Sequence, residues 1–186
     1  MPYSLLLVDD DDAARTSLHS LVLTALPEAE IDVAANSGEG LAQIQRHPPY
    51  HVVVTDMRMP EGAEGLTVVK AAREKDPSTE ILVLTAYGEM ENVYHALQLG
   101  ANQYIDKNLP ETVTAQISAI ENAAARADRG RRTARRLEAM ERLVQEVEQR
   151  APTMLEVVQT LQLMVDYAQA IAADDPAARS PHSEAK

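Results

Sequence analysis

Residues 5–10 are Leu-Leu-Leu-Val-Asp-Asp, a continuous apolar run that ends in two acids. Residues 52–56, Val-Val-Val-Thr-Asp, repeat this arrangement, and residues 81–85, Ile-Leu-Val-Leu-Thr, form a third run that ends in a hydroxyl. Apolar runs without alternation are typical of strands that are buried on both faces, as in parallel sheets. The three runs therefore predict a parallel sheet with polar side chains at the carboxyl ends of its strands.

The surrounding sequence alternates strand and helix signals up to residue 122. Two shorter strand candidates lie at residues 31–34 and 103–105. Stretches with helical periodicity separate the strands: 13–26, 38–45, 66–74 and 91–99. A last helix is predicted to begin at Pro110, because proline suits the first helical position. Five strands that alternate with helices predict a doubly wound α/β domain over residues 1–122.

The remainder of the chain predicts an all-α extension over residues 123–173, either a coiled coil or a helical hairpin. Gly130 and Pro152 interrupt its pattern, so it forms one kinked helix or two helices joined near residues 149–153. The polar segment 174–186 is predicted to be disordered. The extension carries apolar or small residues at alternating spacings of three and four: Leu137, Met140, Val144, Val147, Ala151, Met154, Val158, Leu161, Val165 and Ala168.

Composition narrows the classes of function. The 186 residues include no cysteine, which excludes disulfides and thiolate metal sites. Residues 1–122 hold 7 basic and 19 acidic residues, whereas residues 123–186 hold 10 of each. The acidic first part disfavours nucleic-acid binding there and favours a cation site. There is no run of membrane-spanning length and no basic segment before the first apolar run, so we expect a cytoplasmic protein without a signal peptide.

The polar residues at the strand ends form one predicted constellation. Asp9, Asp10, Asp56 and Thr85 lie at strand ends, and Lys107 follows the last strand. Ligands of open parallel sheets bind beyond the carboxyl ends of the strands. Converging carboxylates repel one another unless a cation neutralises them, and hard oxygen ligands select Mg²⁺ or a similar divalent ion. A carboxylate in such a site can act as a nucleophile toward phosphorus.

Four motifs in this order resemble the receiver domain of two-component response regulators, over about residues 3–122. The resemblance implies a flavodoxin-like domain that is a phosphoacceptor, with self-dephosphorylation at most. The extension has no histidine or cysteine in its helices and no glycine-rich loop, so we expect no catalytic output from it. The motifs are LLLVDDD (5–11), VTDMRMP (54–60), LTAY (84–87) and YIDK (104–107).

The resemblance also implies a metal site and a phosphoacceptor. Asp56 would accept the phosphoryl group from a sensor histidine kinase or a phosphotransfer protein. Asp10 and Asp56 would bind Mg²⁺ through their side chains, Asp9 would assist through water, and Arg58 would offer its backbone carbonyl.

Three further roles follow from the same resemblance. Lys107 would pair with the phosphoryl oxygens, and Thr85 would form a hydrogen bond with the phosphoryl group once it is present. Tyr104 matches the switch aromatic of the family, which turns inward as the threonine moves.

Two departures from the family pattern concern the loops of the site. Asn108 follows Lys107 where the family usually has proline, often with a cis bond, which would cost asparagine about 2.5–4 kcal/mol. The loop at residues 60–65 is one residue longer than usual. We therefore expect the loop around Lys107 to differ from the family pattern.

The extension leaves more than one output open. The leading hypothesis is a phosphorylation switch that changes the association of the extension, with a homodimer through residues 137–168 and a downstream protein target. The alternative is a transcription or RNA-level regulator that binds nucleic acid through residues 126–136, which hold six arginines and one aspartate. No aromatic residue lies in that segment, so nucleic-acid binding is not favoured. A third possibility is an adaptor that binds a larger protein complex.

Overall fold

In the computed structural model of this chain, the described residues form one five-stranded parallel sheet in the order β2-β1-β3-β4-β5. The strands are β1 (Ser4–Val8), β2 (Glu30–Ala34), β3 (Val52–Asp56), β4 (Glu80–Thr85) and β5 (Gln103–Asp106). The structure describes residues 3–59, 64–86, 90–108, 112–150 and 154–174. The order places β1 at the point where the chain reverses direction across the sheet, and the predicted doubly wound fold is confirmed.

Helices follow the strands as the hydrophobic periodicity predicts. They are α1 (Asp12–Ala25), α2 (Ser37–Arg46), α3 (Gly65–Lys75), α4 (Met90–Gln98), α5 (Thr112–Arg150) and α6 (Met154–Asp174). The bounds of α1 to α4 lie within one residue of the predicted ones, because side chains cap α1 and α2 where the sequence places Asp11 and Asn36. The predicted start of α5 at Pro110 lies outside the described residues.

The core lies on both faces of the sheet. Leu6, Val8 and Val53 pack in one buried cluster, whereas Leu5 and Leu7 pack in the other. Successive side chains of a strand point to opposite faces, so a strand covered on both sides needs apolar residues at every position. This double burial accounts for the continuous apolar runs.

The chain divides into two units, residues 1–128 and residues 129–186. The first unit extends past the boundary predicted at residue 122, because Ala123 and Ala124 of α5 are fully buried in the core cluster that contains Leu5. Small side chains allow this part of the helix to lie close to the sheet.

The second unit contains the rest of α5 and α6. Gly130 does not end α5, which is helical as far as Arg150. A guanidinium nitrogen of Arg136 donates to the backbone carbonyl of Ala170 at 3.2 Å, so the two helices lie side by side. The extension is therefore two helices folded back on each other. Within it, Pro152 and residues 175–186 of the predicted disordered tail lie outside the described residues.

Within the described part of the chain, no helix combines the length and the apolar character that crossing a bilayer demands.

Candidate functional site

Four strands deliver polar residues to one edge of the sheet. Val8 of β1 is paired with Thr55 of β3, so Asp9 and Asp56 lie next to each other beyond these pairs. The amide of Lys107, directly after β5, donates to the carbonyl of Thr85 at the end of β4 at 2.7 Å. The register of the sheet thus brings together residues that are about 100 positions apart in the chain.

Three carboxylates form a cluster at this edge. Asp9, Asp10 and Asp56 each offer an oxygen, and these oxygens all lie within 4.8 Å of one another. Asp9 is buried, Asp56 is half-buried and Asp10 is exposed. The amide of Asp11 donates to Oδ1 of Asp9 at 3.0 Å, and Asp11 itself caps helix α1. An all-oxygen set of acids suits a hard divalent cation.

Lys107 lies between two of these acids. Its ammonium nitrogen is 2.6 Å from Oδ2 of Asp9 and 3.2 Å from Oδ2 of Asp56. Burial alone would lower the pKa of Lys107, but the hydrogen bond to Asp9 and the charges of both acids raise it above its usual value. The lysine is therefore charged at neutral pH. One ammonium facing three carboxylates leaves excess negative charge, which a bound cation can offset.

Asp56 is held at the end of its strand by a hydrogen bond from the next backbone amide and by the close approach of helix α3. The amide of Met57 donates to Oδ1 of Asp56 at 2.7 Å. Burial raises the pKa of the Asp56 carboxyl. The charge of Lys107 opposes this increase, whereas the charge of Asp9 adds to it, and the net pKa is above its usual range. Gly65, at the start of α3, donates its amide to the carbonyl of Met57 at 3.2 Å. A Cβ on Gly65 would lie 2.1 Å from the backbone oxygen of Asp56, so only glycine fits there.

Thr85 and Tyr104 are in contact next to the acids. Thr85 is completely buried at the end of β4, and its side chain forms a hydrogen bond with the phenol of Tyr104. Burial raises the pKa of Tyr104, the charges of Asp106 and Asp56 raise it further, and the bond with Thr85 partly offsets the increase. The threonine hydroxyl therefore already has a partner on β5.

Asn108 joins the loops that follow β4 and β5. Its amide nitrogen donates to Oδ1 of Asp106 at 2.8 Å, and its side-chain amide donates to the backbone carbonyl of Ala86. The described residues contain no cis peptide bond. The loop after Lys107 is thus held by side-chain hydrogen bonds at Asn108, one of the two positions where the sequence departs from the expected family pattern. Sequence reasoning identified the substitution but not this bridge, because Ala86 is 22 positions away.

Sequence reasoning also missed Arg15. Its guanidinium donates to the backbone carbonyl of Asp9 at 2.6 Å and pairs with Asp12 at 2.6 Å. Its side chain is only 14% exposed. Arg15 therefore fixes the turn that carries Asp9, and a basic residue in the first turns of α1 was the one sequence signal for it.

Other predicted residues lie at or beyond the rim of the site. Arg58 is exposed two residues after Asp56, and the role of its carbonyl stays a prediction. Residues 60–63 of the lengthened loop lie outside the described part of the chain. The site therefore brings together Asp9, Asp10, Asp56, Thr85, Tyr104 and Lys107.

The basic segment 126–136 makes contacts within its own units. Arg126 donates twice to Oε2 of Glu80, at 2.9 and 2.7 Å, within the first unit. Arg136 bonds Ala170 within the second. These two arginines are engaged in the fold.

Comparison with known proteins agrees with this geometry. The chain is 35% identical over 108 residues to the oxygen regulatory protein NreC of Staphylococcus haemolyticus, covering 58% of this chain and 49% of that protein. It is 39% identical over 104 residues to the photosynthetic apparatus regulatory protein RegA of Rhodobacter capsulatus, covering 56% of this chain and 54% of that protein. A CheY-like response regulator receiver domain protein from Methanospirillum hungatei JF-1 superposes with a TM-score of 0.62 at 25% identity, covering 69% of this chain and 98% of that one.

The chain spans about half the length of these two regulatory proteins. The pattern of response regulator receiver domains matches residues 5–118, which contain every residue of the site. The order of the strands in the parallel sheet agrees with that match. The chain belongs to the response regulator receiver domain family.

Proposed function

We propose that this chain is the response regulator of a two-component phosphorelay and that Asp56 accepts a phosphoryl group from a histidine kinase or a phosphotransfer protein. The observation that carries the proposal is the position of Lys107, whose ammonium lies within hydrogen-bonding distance of both Asp9 and Asp56. This arrangement places a fixed positive charge beside a half-buried carboxylate at the open edge of the sheet.

The chemistry assigned to Asp56 is nucleophilic attack on phosphorus. An Asp56 carboxylate oxygen forms a bond to the phosphorus of a phosphohistidine, the phosphorus–nitrogen bond breaks, and the imidazole leaves. The product is an acyl phosphate on Asp56. Lys107 stabilises the charge on the transferred oxygens, and this preorganised charge is the main contribution that a protein makes to phosphoryl transfer. The chain is a phosphoacceptor in this scheme.

The acid cluster fits the Mg²⁺ that such a transfer uses. Asp10 and Asp56 would hold the ion directly, Asp9 through water, and Arg58 through its carbonyl. The bound ion supplies positive charge that offsets the repulsion between the acids and the incoming phosphoryl group. The fit rests on three oxygen donors within 4.8 Å of one another.

The output proposed for this site is a rearrangement that starts at Thr85. The hydroxyl of Thr85 shares a hydrogen bond with Tyr104, and binding the phosphoryl oxygens would draw it toward Asp56. Tyr104 would then repack, and the change would alter how the helical extension associates with a second copy and with a downstream protein.

The test is labelling with radioactive acetyl phosphate in the presence of Mg²⁺. We expect Asp56→Asn to abolish the label and chelation of Mg²⁺ by EDTA to reduce it strongly. The matched control is Asp11→Asn, which removes a charge two residues from Asp9 and retains a side chain that caps α1. Label that survives in Asp56→Asn would place the phosphoacceptor elsewhere, and equal loss in both variants would mean a general charge effect.

A further inference from the structure

Helix α6 carries few charged residues. A helix that is covered on one side only normally has more charge on its exposed side. Its 21 residues include three acids, Glu156, Asp166 and Asp174, and no basic residue. A surface helix normally carries one apolar stripe and a charged opposite face, whereas a helix that is apolar on several faces is buried on several faces. The hairpin partner α5 can cover only one of them.

Two neighbouring stripes run along α6. The first is half-buried and consists of Val157, Thr160, Met164 and Tyr167. The second, here called the outer stripe, consists of Val158, Leu161, Val165 and Ala168. The side chains of Val158, Leu161 and Val165 are 56%, 54% and 47% exposed.

Helix α5 also carries half-buried residues, and we take it to cover the half-buried stripe of α6 rather than the outer one. The half-buried residues that it presents include Arg136, Met140 and Leu143. Arg136 reaches the carbonyl of Ala170, which sets the two helices side by side. The outer stripe thus stays open in a single copy of the extension.

We infer that the outer stripe of α6 packs against the outer stripe of a second copy of this chain, with the two α6 helices antiparallel. This inference specifies the association included in the proposed function. Residues at spacings of three, four and three form a seam in which each side chain enters a hole on a partner helix of the same spacing. A two-fold axis between Leu161 and Val165 would set each Leu161 opposite Val165 of the other copy, and each Val158 opposite Ala168. Two hairpins joined in this way form a four-helix bundle.

The acids of α6 lie away from the outer stripe. With Val158 and Leu161 at the seam, Glu156 and Asp166 lie on the sides of the helix that face away from it. The antiparallel direction follows from side-chain size, because it sets each larger side chain opposite a smaller one, whereas a parallel pair sets Leu161 opposite Leu161 and Ala168 opposite Ala168. Since α6 has no basic residue, an anionic partner such as nucleic acid has no cation to bind on this helix.

The experiment is light-scattering mass of the full-length protein at micromolar concentration. We expect the wild type to have twice the 20.3 kDa chain mass and Leu161→Glu to fall to one chain mass with unchanged helical circular dichroism. The matched control is Gln159→Glu, which introduces the same side chain at an exposed position outside the outer stripe and should remain dimeric. A monomeric wild type, or a dimeric Leu161→Glu, would overturn the inference.

Direction is tested by disulfide trapping, because the chain has no cysteine of its own. The double variant Val158→Cys with Ala168→Cys should form an intermolecular disulfide on oxidation, whereas Val158→Cys alone should not. A disulfide from Val158→Cys alone would show a parallel pair.

Labelling of the wild-type sample with acetyl phosphate separates the two proposals. An unlabelled dimer contradicts the proposed function alone, and a labelled monomer contradicts the outer-stripe interface alone.

Discussion

Replacement of Gly65 by alanine is the most direct test of how the fold positions Asp56. The new Cβ would lie 2.1 Å from the backbone oxygen of Asp56 and 2.8 Å from the Cα of Met57. Comfortable contacts between carbon atoms are about 3.5–4.0 Å. The opposing atoms belong to the backbone, so no side-chain rotation can relieve the overlap, and the end of β3 or the start of α3 must move by roughly 1 Å.

The expected effect on stability follows from this overlap. Overpacking of a well-packed site costs about 1–3 kcal/mol. Exchange of glycine for alanine in a helix contributes at most about 1 kcal/mol in the other direction. We expect a net loss of roughly 1–2 kcal/mol, which lowers the melting temperature of a domain of this size by about 4–8 °C. A displacement of about 1 Å at the reacting group should also slow phosphorylation by about 100-fold.

The assay compares thermal unfolding and acetyl-phosphate labelling of the wild type, Gly65→Ala and Gly130→Ala. Gly130 is a matched control, since a Cβ there meets nothing within 4 Å and the position is helical. Gly130→Ala should therefore label at the wild-type rate, with stability equal to or up to about 1 kcal/mol above that of the wild type. If Gly65→Ala melts and labels like the wild type, the close approach of α3 to Asp56 is not a constraint on the site.

Two further predictions concern hydrogen bonds outside the acid cluster. Asn108→Ala removes the donor to the Ala86 carbonyl, so we expect the free energy of unfolding to fall by about 1 kcal/mol and labelling at saturating acetyl phosphate to become slower. If both the stability and the labelling rate are unchanged, the bridge does not position the loop. Burial, then the hydrogen bond and charge of Asp32, raise the pKa of Tyr50 above its usual value. The unfolded phenol therefore ionises first, and stability is lost as pH rises above about 10. Tyr50→Phe should flatten that alkaline loss in urea midpoints measured between pH 8 and pH 11, and an identical pH slope in both proteins would contradict the assignment.

The sequence was sufficient to predict the sheet and the acids of the site. Strands covered on both faces must be apolar at each position, so residues 5–8 and 52–54 could be recognised without any knowledge of their neighbours. Because parallel strands end at the same edge, Asp9 and Asp56 could be expected to meet there. These features depend on periodicity and on position relative to a strand end, which are local properties of the chain.

The helical extension was predictable in part. Its periodicity indicated helices, and Pro152 indicated where they separate, but one kinked helix and a hairpin have the same sequence pattern. The contact between Arg136 and Ala170 distinguishes them. The division of the apolar residues of α6 into a covered stripe and an exposed one likewise depends on which face α5 occupies.

Tertiary structure alone decided the contacts that hold the site in shape. Lys107 reaches Asp9 across 98 positions of sequence, and Asn108 reaches the Ala86 carbonyl across 22. The close approach of backbone atoms that excludes a side chain at Gly65 arises only where α3 meets the end of β3. Periodicity and composition are properties of residues that are close together in the sequence. They therefore indicate which residues a chain buries and which strand ends carry charge. Distances between side chains are determined by the packing of elements that the sequence does not place side by side, and so they emerge only in the folded chain.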